Sequence, residues 1–493
     1  MTLLTSLAKA LAVETGRAQP VRAVRHVHVS DRPFVFVPLQ LAGEACAPLA
    51  ALAGDDPDKP AMLTVCEPRD RTQRFEFAAA LADVILGYVE SYTATDPGPD
   101  APYPDAPQLL VPNAGGVAFT RLLGRSTRFR RTAGDFAVAE NVPVLGRWLT
   151  FYSERTEASA SALLLSMVDA LAGHWATGQS AAEDANLAAL LGWIDPPPGM
   201  TGAQAARAAE DPVRCPPAGP ATDPSFDNEV LAGRIDAVRA ARAVGDGAAL
   251  ARAQAALEAA LRTQLEPAWE LMWRAAGLLR GLPAGAHVAE RWRADRWSFT
   301  AQVTWLRDGG APQPRRDSAV AAARRLARIE REAQRLEVQR AYDDGLVMAE
   351  YRLTCEALAG AVTDAEPGRL DTTGKRAKLR PRIVVETADE VLVEPGAKLV
   401  SPGRPKQHAL IVDVARAAGR TRVLLELEGG MGRTLTPEPG SVPAVGEPVT
   451  YTTLRDDFQP VPRFPERDHT PWTHGGPPPE YVPDTEDAME NWS

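Results

Sequence analysis

Cysteine is scarce in this sequence: four residues, at positions 46, 66, 215 and 355, among 493. No two stand at metal-ligand spacing, and so few cannot frame a disulfide-stapled fold. Reduced, mostly buried thiols and a cytoplasmic location are the expectation. Long apolar runs are also missing; none approaches the ~18 residues that a membrane span needs. The opening stretch MTLLTSLAKALAVETG carries Leu3, Leu4, Leu7 and Leu11 at helical spacing, with Lys9 among them. It reads as a short amphipathic helix, not a signal peptide. An excess of positive charge is absent too: 54 lysines and arginines face 64 acidic residues, for a net charge of −10. That excludes a chain that coats nucleic acid through its overall charge, although a local basic patch still acts within a Debye length. There is no G-x-S-x-G elbow, H-E-x-x-H helix, EF-hand loop or G-x-G-x-x-G turn. Enzymes built on those devices are excluded with them, and no cofactor site is expected.

What is present is mostly helix-forming sequence, with 45% apolar and 24% charged residues, enough for several domains. The expected class is α+β and multidomain. It is mainly helical, with an N-terminal α/β unit and a C-terminal small antiparallel β-barrel. Residues 1–95 read as a small α/β unit. In it RPFVFVPLQL (32–41) has strand composition, and Pro33 and Pro38 mark an edge or an end. RFEFAAALADVILGYVESY (74–92) has the apolar spacing of a helix. DPGPDAPYPDAP (96–107) is a proline- and aspartate-rich linker. Residues 108–225 read as a helical block with a proline-rich exit loop; Ser180 and Glu183 form a capping box.

Residues 226–365 read as a long helical hairpin or bundle. Its longest element starts at Asp317 or Ser318 and runs toward Gly360, with Leu326, Ile329, Ala333 and Leu336 as a coiled-coil-like seam. Gly345 marks a kink or an end. From 380 to 456 the period changes to two. Val423, Leu425 and Leu427 alternate with Leu424 and Glu426, and Pro-Gly and Gly-Gly pairs punctuate at short intervals. Five or six short strands at that spacing predict a small barrel. The tail, 465–493, is acidic and proline-rich and predicts disorder.

Three basic clusters are candidates for binding nucleic acid. RLLGRSTRFRR holds Arg121, Arg125, Arg128, Arg130 and Arg131 without an acid. GKRAKLRPR holds Lys375, Arg376, Lys378, Arg380 and Arg382, again without an acid. Just downstream stand Arg404 and Lys406. Clustered cations repel one another unless an anion neutralises them, and a phosphate backbone does so with release of counterions. The competing reading pairs them with acids elsewhere in an acidic protein. Two further motifs are weak. His26 and His28 in HVH would face one side of a strand, as zinc ligands do, but no third ligand stands in a recognisable motif, so no metal site is expected. GRLDTTGKR (368–376) has five residues between its glycines where a phosphate loop has four, and Arg376 where that loop has Ser or Thr.

The order of long charged helix, basic connector and small barrel over 317–456 resembles the stalk and accessory barrel of superfamily 1 helicases. ETADEVLVEPGAKLV, HALIVDV and PAVGEPVTYTTL carry the resemblance. It implies a barrel leaning over a nucleic-acid channel. The chain has no Walker A loop, so ATP-driven unwinding is not implied, and a motor would have to come from a partner. The expectation is a non-catalytic accessory protein that binds a partner assembly, one acting on nucleic acid, a helicase-like motor among the options. Two alternatives stand beside it. One is a pure protein-interaction scaffold. The other is a motif-free enzyme in the N-terminal half, with His26, His28, Asp31 and the Arg121–Arg131 run as contributors.

Overall fold

The computed structural model describes residues 2–455 except 45, 46, 96, 99 and 418; the acidic tail lies outside the described residues. The chain divides into two compact units. One is residues 5–333, and the other is residues 334–455 with 2–4.

The first unit is an α/β domain. Its helices begin with α1 (Leu3–Thr15), α2 (Arg71–Glu90), α3 (Ala114–Thr127) and α4 (Asn141–Arg155). Short helices follow: α5 (Met167–Ala172), α6 (Ala181–Asp184), α7 (Leu187–Ile194), α8 (Gly202–Ala209) and α9 (Pro224–Phe226). The expected Ser180–Glu183 capping box opens α6. A helical pair, α10 (Ala232–Val244) and α11 (Gly247–Gly281), precedes α12 (Val288–Arg307).

The strands are β1 (Gln19–Pro20), β2 (Phe34–Gln40), β3 (Pro48–Gly54), β4 (Ala61–Thr64), β5 (Leu109–Val111), β6 (Leu164–Ser166) and β7 (Trp175–Ala176). Five of them form one sheet in the order β4-β3-β2-β5-β6. Strands β2, β5 and β6 run parallel, and β3 and β4 antiparallel. The sheet draws strands from both sides of 96–107, so residues 1–95 and 108–225 share one core.

The Pro33/Pro38 strand is therefore central and not an edge. Every residue of β2 from Phe34 to Leu39 is buried, the continuous apolar pattern of a strand covered on both faces. Pro38 is tolerated because β5 pairs only with Phe34 and Val35. The stretch expected as a linker is also partly packed. Tyr103 is buried against Phe299 of α12, and its N–H donates to the Thr300 hydroxyl at 3.0 Å.

Within 226–365, α10 and α11 form a helical pair of their own, turned by left-handed Gly245 and capped by Asp246, rather than partners split at 258 and 265. It is not free-standing. Leu257, Leu261, Leu265, Trp269 and Met272 of α11 join the same hydrophobic core as β2 and β3, as do Trp292, Phe299 and Val303 of α12.

The domain boundary falls within α13 (Ala319–Asp343). This helix does not continue toward Gly360. It ends at Asp343, and Asp344 caps α14 (Gly345–Leu353) by accepting from the Leu346 N–H at 2.9 Å. The expected seam is not a buried one: Leu326 is 57% exposed, and Ile329, Ala333 and Leu336 are partly exposed.

The second unit holds the barrel. Its strands are β8 (Ala357–Glu366), β9 (Leu370–Asp371), β10 (Lys378–Leu379), β11 (Arg382–Thr387), β12 (Lys398–Ser401), β13 (Arg404–Ala417), β14 (Arg420–Glu428) and β15 (Pro448–Thr452). Six close into an antiparallel barrel in the order β11-β14-β13-β12-β15-β8. Ile383, Val385, Val423, Leu425, Leu427 and Tyr451 fill its interior, as the alternation of β14 predicts. The barrel begins earlier than expected, because ALAGAVTDAE is strand β8 and not the end of a helix. Gly360 lets β8 approach β11, since a Cβ there would sit 2.2 Å from the Glu386 carbonyl oxygen. Val412 is the extra residue of a bulge between Ile411 and Asp413, which interrupts the alternation of β13.

Asp389 ties α14 to the barrel. Its carboxylate takes two hydrogen bonds from Arg352, each 2.8 Å, and one from the Ala359 N–H at 2.8 Å. Burial alone would raise this carboxyl, but the bonds from Arg352 and Ala359 outweigh it and hold the carboxyl below its ordinary value. A carboxyl depressed in the folded state stabilises the fold above its unfolded value, about 3.9, and loses that contribution as pH falls through the lower folded value. Asp389→Asn is therefore expected to cost about 2 kcal/mol at pH 7, with the deficit shrinking in acid. Melting curves of parent and variant at neutral and acidic pH check both parts.

Candidate functional site

The two basic segments of the barrel do not form one uncompensated face. Arg369 and Arg382 both reach Glu426, at 2.7 and 3.1 Å. Arg380 and Lys398 reach Glu428, at 3.3 and 3.7 Å. Arg404 pairs with Glu447 at 2.7 Å. Strand β14 thus supplies acids between the arginines. Two carboxylates serve four cations, so the patch keeps a surplus of positive charge.

What remains open to solvent is a hairpin. Strands β9 and β10 pair antiparallel, and the near-phosphate-loop motif forms the turn between them. Asp371 accepts from the Thr373 N–H at 3.0 Å and from its hydroxyl at 2.7 Å. That is an Asx-type turn, not a phosphate cradle. Lys375, Arg376 and Lys378 are exposed on this hairpin, and no described carboxylate lies within ion-pair distance of any of them. Lys406 is also exposed.

The Arg121–Arg131 run is dispersed by its helix. Arg121 points to Glu157, 3.7 Å away. Arg128 is buried, and its Nε donates to the Gln313 carbonyl at 2.8 Å. Arg130 donates to the Ser126 carbonyl and lies over the Phe75 ring. Arg125 and Arg131 are exposed. These five arginines therefore do not share one open basic surface. The residues 121–127 belong to α3, and a helix sends successive side chains in different directions.

His26 and His28 separate as well. They lie outside any named strand, so the same-side rule does not apply. His26 is buried and stacks on His174. His28 stacks on Trp292 with ring centroids 4.0 Å apart. Burial pushes the His28 imidazole down to about 4, with Asp105 and Asp31 opposing and Arg25 and Arg296 assisting; the ring is neutral at pH 7. Its Nε2 is buried and has no hydrogen-bond partner. His28 lines a cleft of about 430 Å³ together with Arg25, Ser30, Asp31, Tyr92 and Asp105. Sequence reasoning singled out His28 and Asp31 here but missed Arg25, which carries no local motif.

A mixed α/β sheet ordinarily binds ligands beyond the carboxyl ends of its parallel strands, where the strand order reverses. In this domain that place, between β2 and β5 at the start of α3, is filled by the chain itself. Asn113 caps α3 and its side-chain amide donates to the Gly219 carbonyl at 2.8 Å. The Gln40 N–H donates to the Pro220 carbonyl at 2.8 Å. A Cβ on Gly115 would meet Pro220 Cδ at 2.6 Å. The segment at Gly219 and Pro220 thus packs over the start of α3.

The sequence matches no family model and no curated protein, and no solved structure matches the fold. Among the described residues, no helix is long and apolar enough to cross a membrane, and no three of His, Cys, Asp and Glu gather as a metal-ligand set.

Proposed function

We propose that this protein is a non-catalytic, cytoplasmic accessory protein that binds an assembly acting on nucleic acid, with the β9–β10 hairpin touching the phosphate backbone. The observation that carries this reading is the contrast within the barrel. Arg369, Arg380, Arg382 and Arg404 are paired with acids, whereas Lys375, Arg376 and Lys378 stand exposed on a hairpin and form no ion pair with a described carboxylate, Asp371 across from Lys378 included. The resemblance of 317–456 to a helicase stalk and barrel supports the same direction. With no motor of its own, the chain would work beside a motor protein.

The full chain should bind duplex or single-stranded DNA or RNA at ~50 mM salt and lose affinity steeply by ~200 mM. Replacing Lys375, Arg376 and Lys378 together with alanine should flatten the salt slope by about two to three and leave the melting temperature unchanged. Absence of binding by the parent at ~50 mM salt ends the nucleic-acid part of the reading.

Exposed Leu326 favours a second reading, a protein-interaction scaffold. Because this side chain is mostly in water, Leu326→Asp with Ile329→Asp should cost little stability. If α13 is the contact, the pair should abolish association with a partner or a second copy, as read by analytical ultracentrifugation. Unchanged association would remove α13 from consideration.

A further inference from the structure

We propose that the loop carrying Phe136 is a stacking site for an unpaired base of single-stranded nucleic acid, with Arg71 and Arg131 supplying charge for its phosphates. The proposal rests on the reading that the chain acts on nucleic acid. It does not rest on the β9–β10 hairpin, which belongs to the other compact unit.

The loop joins α3 to α4 and closes on itself. The Val138 N–H donates to the Arg131 carbonyl at 2.9 Å, and the Ala137 N–H to the Gly134 carbonyl at 3.3 Å. Val138 is buried with Phe75, Ala78 and Val142, which fixes the loop against α2. Just before it, Phe136 holds a conformation that side chains resist. Its φ is 63°, in the left-handed region, where Cβ crowds the backbone and a bulky residue is an outlier. Among the described residues, only Cys355 is another non-glycine with positive φ. Burial does not offset the strain. Phe136 is 77% exposed, so its ring removes little apolar surface from water. A residue that costs backbone energy and adds little packing points to a role outside the fold.

The surroundings of the ring say which partner suits it. Arg71 Nη2 donates to the Phe136 carbonyl at 2.7 Å. The same guanidinium lies 4.7 Å from the centre of the Phe75 ring and 5.4 Å from that of Phe136. Arg130 lies 5.1 Å from the centre of Phe75. Cations and rings thus alternate from Arg130 through Phe75 and Arg71 to Phe136, and the series ends on a ring in water. A nucleobase, planar with a π-face, continues such a series, and stacking of this kind tolerates any sequence. In a duplex those faces are already covered by neighbouring pairs, so the site selects unpaired strands.

Charge complements the stacking. Arg71 is partly exposed, Arg125 and Arg131 are exposed, and none of the three has a described carboxylate oxygen within 4.0 Å. Asp135 and Glu140, the exposed acids of the loop, pair with none of them. Asp70, at the start of α2, accepts from the Gln73 N–H at 2.8 Å. Phosphates on either side of a stacked base would supply the missing anions.

The test uses the full chain and a single-stranded oligonucleotide carrying aminopurine, a fluorescent base analogue, with the matching duplex for comparison. Single-strand binding should change the aminopurine emission. Phe136→Gly should abolish that change, weaken single-strand binding about tenfold, and leave duplex binding and the salt slope as they were, since no charge is removed. Phe136→Tyr keeps a ring and should keep the affinity. The melting temperature of Phe136→Gly should be level or raised, because glycine adopts this φ without strain; a clear fall would make the ring a packing element and overturn the proposal. Binding that leaves the emission unmoved, or unchanged single-strand affinity in Phe136→Gly, overturns it too and leaves the hairpin reading standing. A weakened Phe136→Gly beside an unaltered salt slope in the Lys375, Arg376 and Lys378 variant keeps this site and removes the hairpin. Absence of any binding by the parent at ~50 mM salt ends both.

Discussion

Asp295→Ala is expected to destabilise the α/β domain by about 3–5 kcal/mol. Asp295 lies on α12 and is 1% exposed. Its carboxylate accepts from the Ala162 N–H at 2.7 Å and the Ser161 hydroxyl at 2.7 Å, and it faces Arg155 at 3.4 Å. These contacts fasten α12 to the turn that leads into β6. Alanine would leave the partly buried Arg155 guanidinium without its carboxylate and the buried Ala162 N–H without its acceptor. Urea unfolding followed by tryptophan fluorescence gives the loss directly. A change under about 1 kcal/mol, the scale of an exposed pair, would show that Asp295 is not the anchor of that turn.

Gly146→Ala is the second large effect, with an expected loss of about 3 kcal/mol. An isolated helix would respond in the opposite direction, because alanine is favoured over glycine by up to ~1 kcal/mol. Here α3 and α4 cross backbone against backbone. A Cβ on Gly146 would lie 2.3 Å from the Arg128 nitrogen and 2.6 Å from its Cα, and one on Gly124 would lie 2.8 Å from the Thr150 nitrogen. Alanine must push the helices apart and unpack Leu123, Leu145 and Leu149 from the core. Gly277 is the control. It sits in α11 with nothing within 4 Å of its added Cβ, so Gly277→Ala should stabilise by up to ~1 kcal/mol. Opposite signs at the two positions, read as melting temperatures, are the diagnostic result.

Local signals were legible where backbone geometry repeats. The alternation of Val423, Leu425 and Leu427 predicted β14 correctly, because strand side chains alternate between faces whatever surrounds them. The capping box at Ser180 and Glu183 formed, because both partners lie within one turn. Strand β8 was missed because its apolar positions are mostly alanine and glycine, which give neither period any contrast. Pro38 suggests an edge or an end of a strand, and only the short reach of β5 reconciles it with a central strand.

The candidate site was legible as a set of charges and not as a surface. The acids that pair Arg382 and Arg404 stand 44 and 43 residues away in the chain. By itself, the sequence determined the local periods, the caps, the excess of acid and the lack of familiar catalytic motifs. Each of these depends on neighbours within a few residues or on composition alone. The tertiary structure decided which cations are neutralised and why Gly146 must be glycine. Those depend on distances of a few ångströms through space, which separation along the chain does not encode.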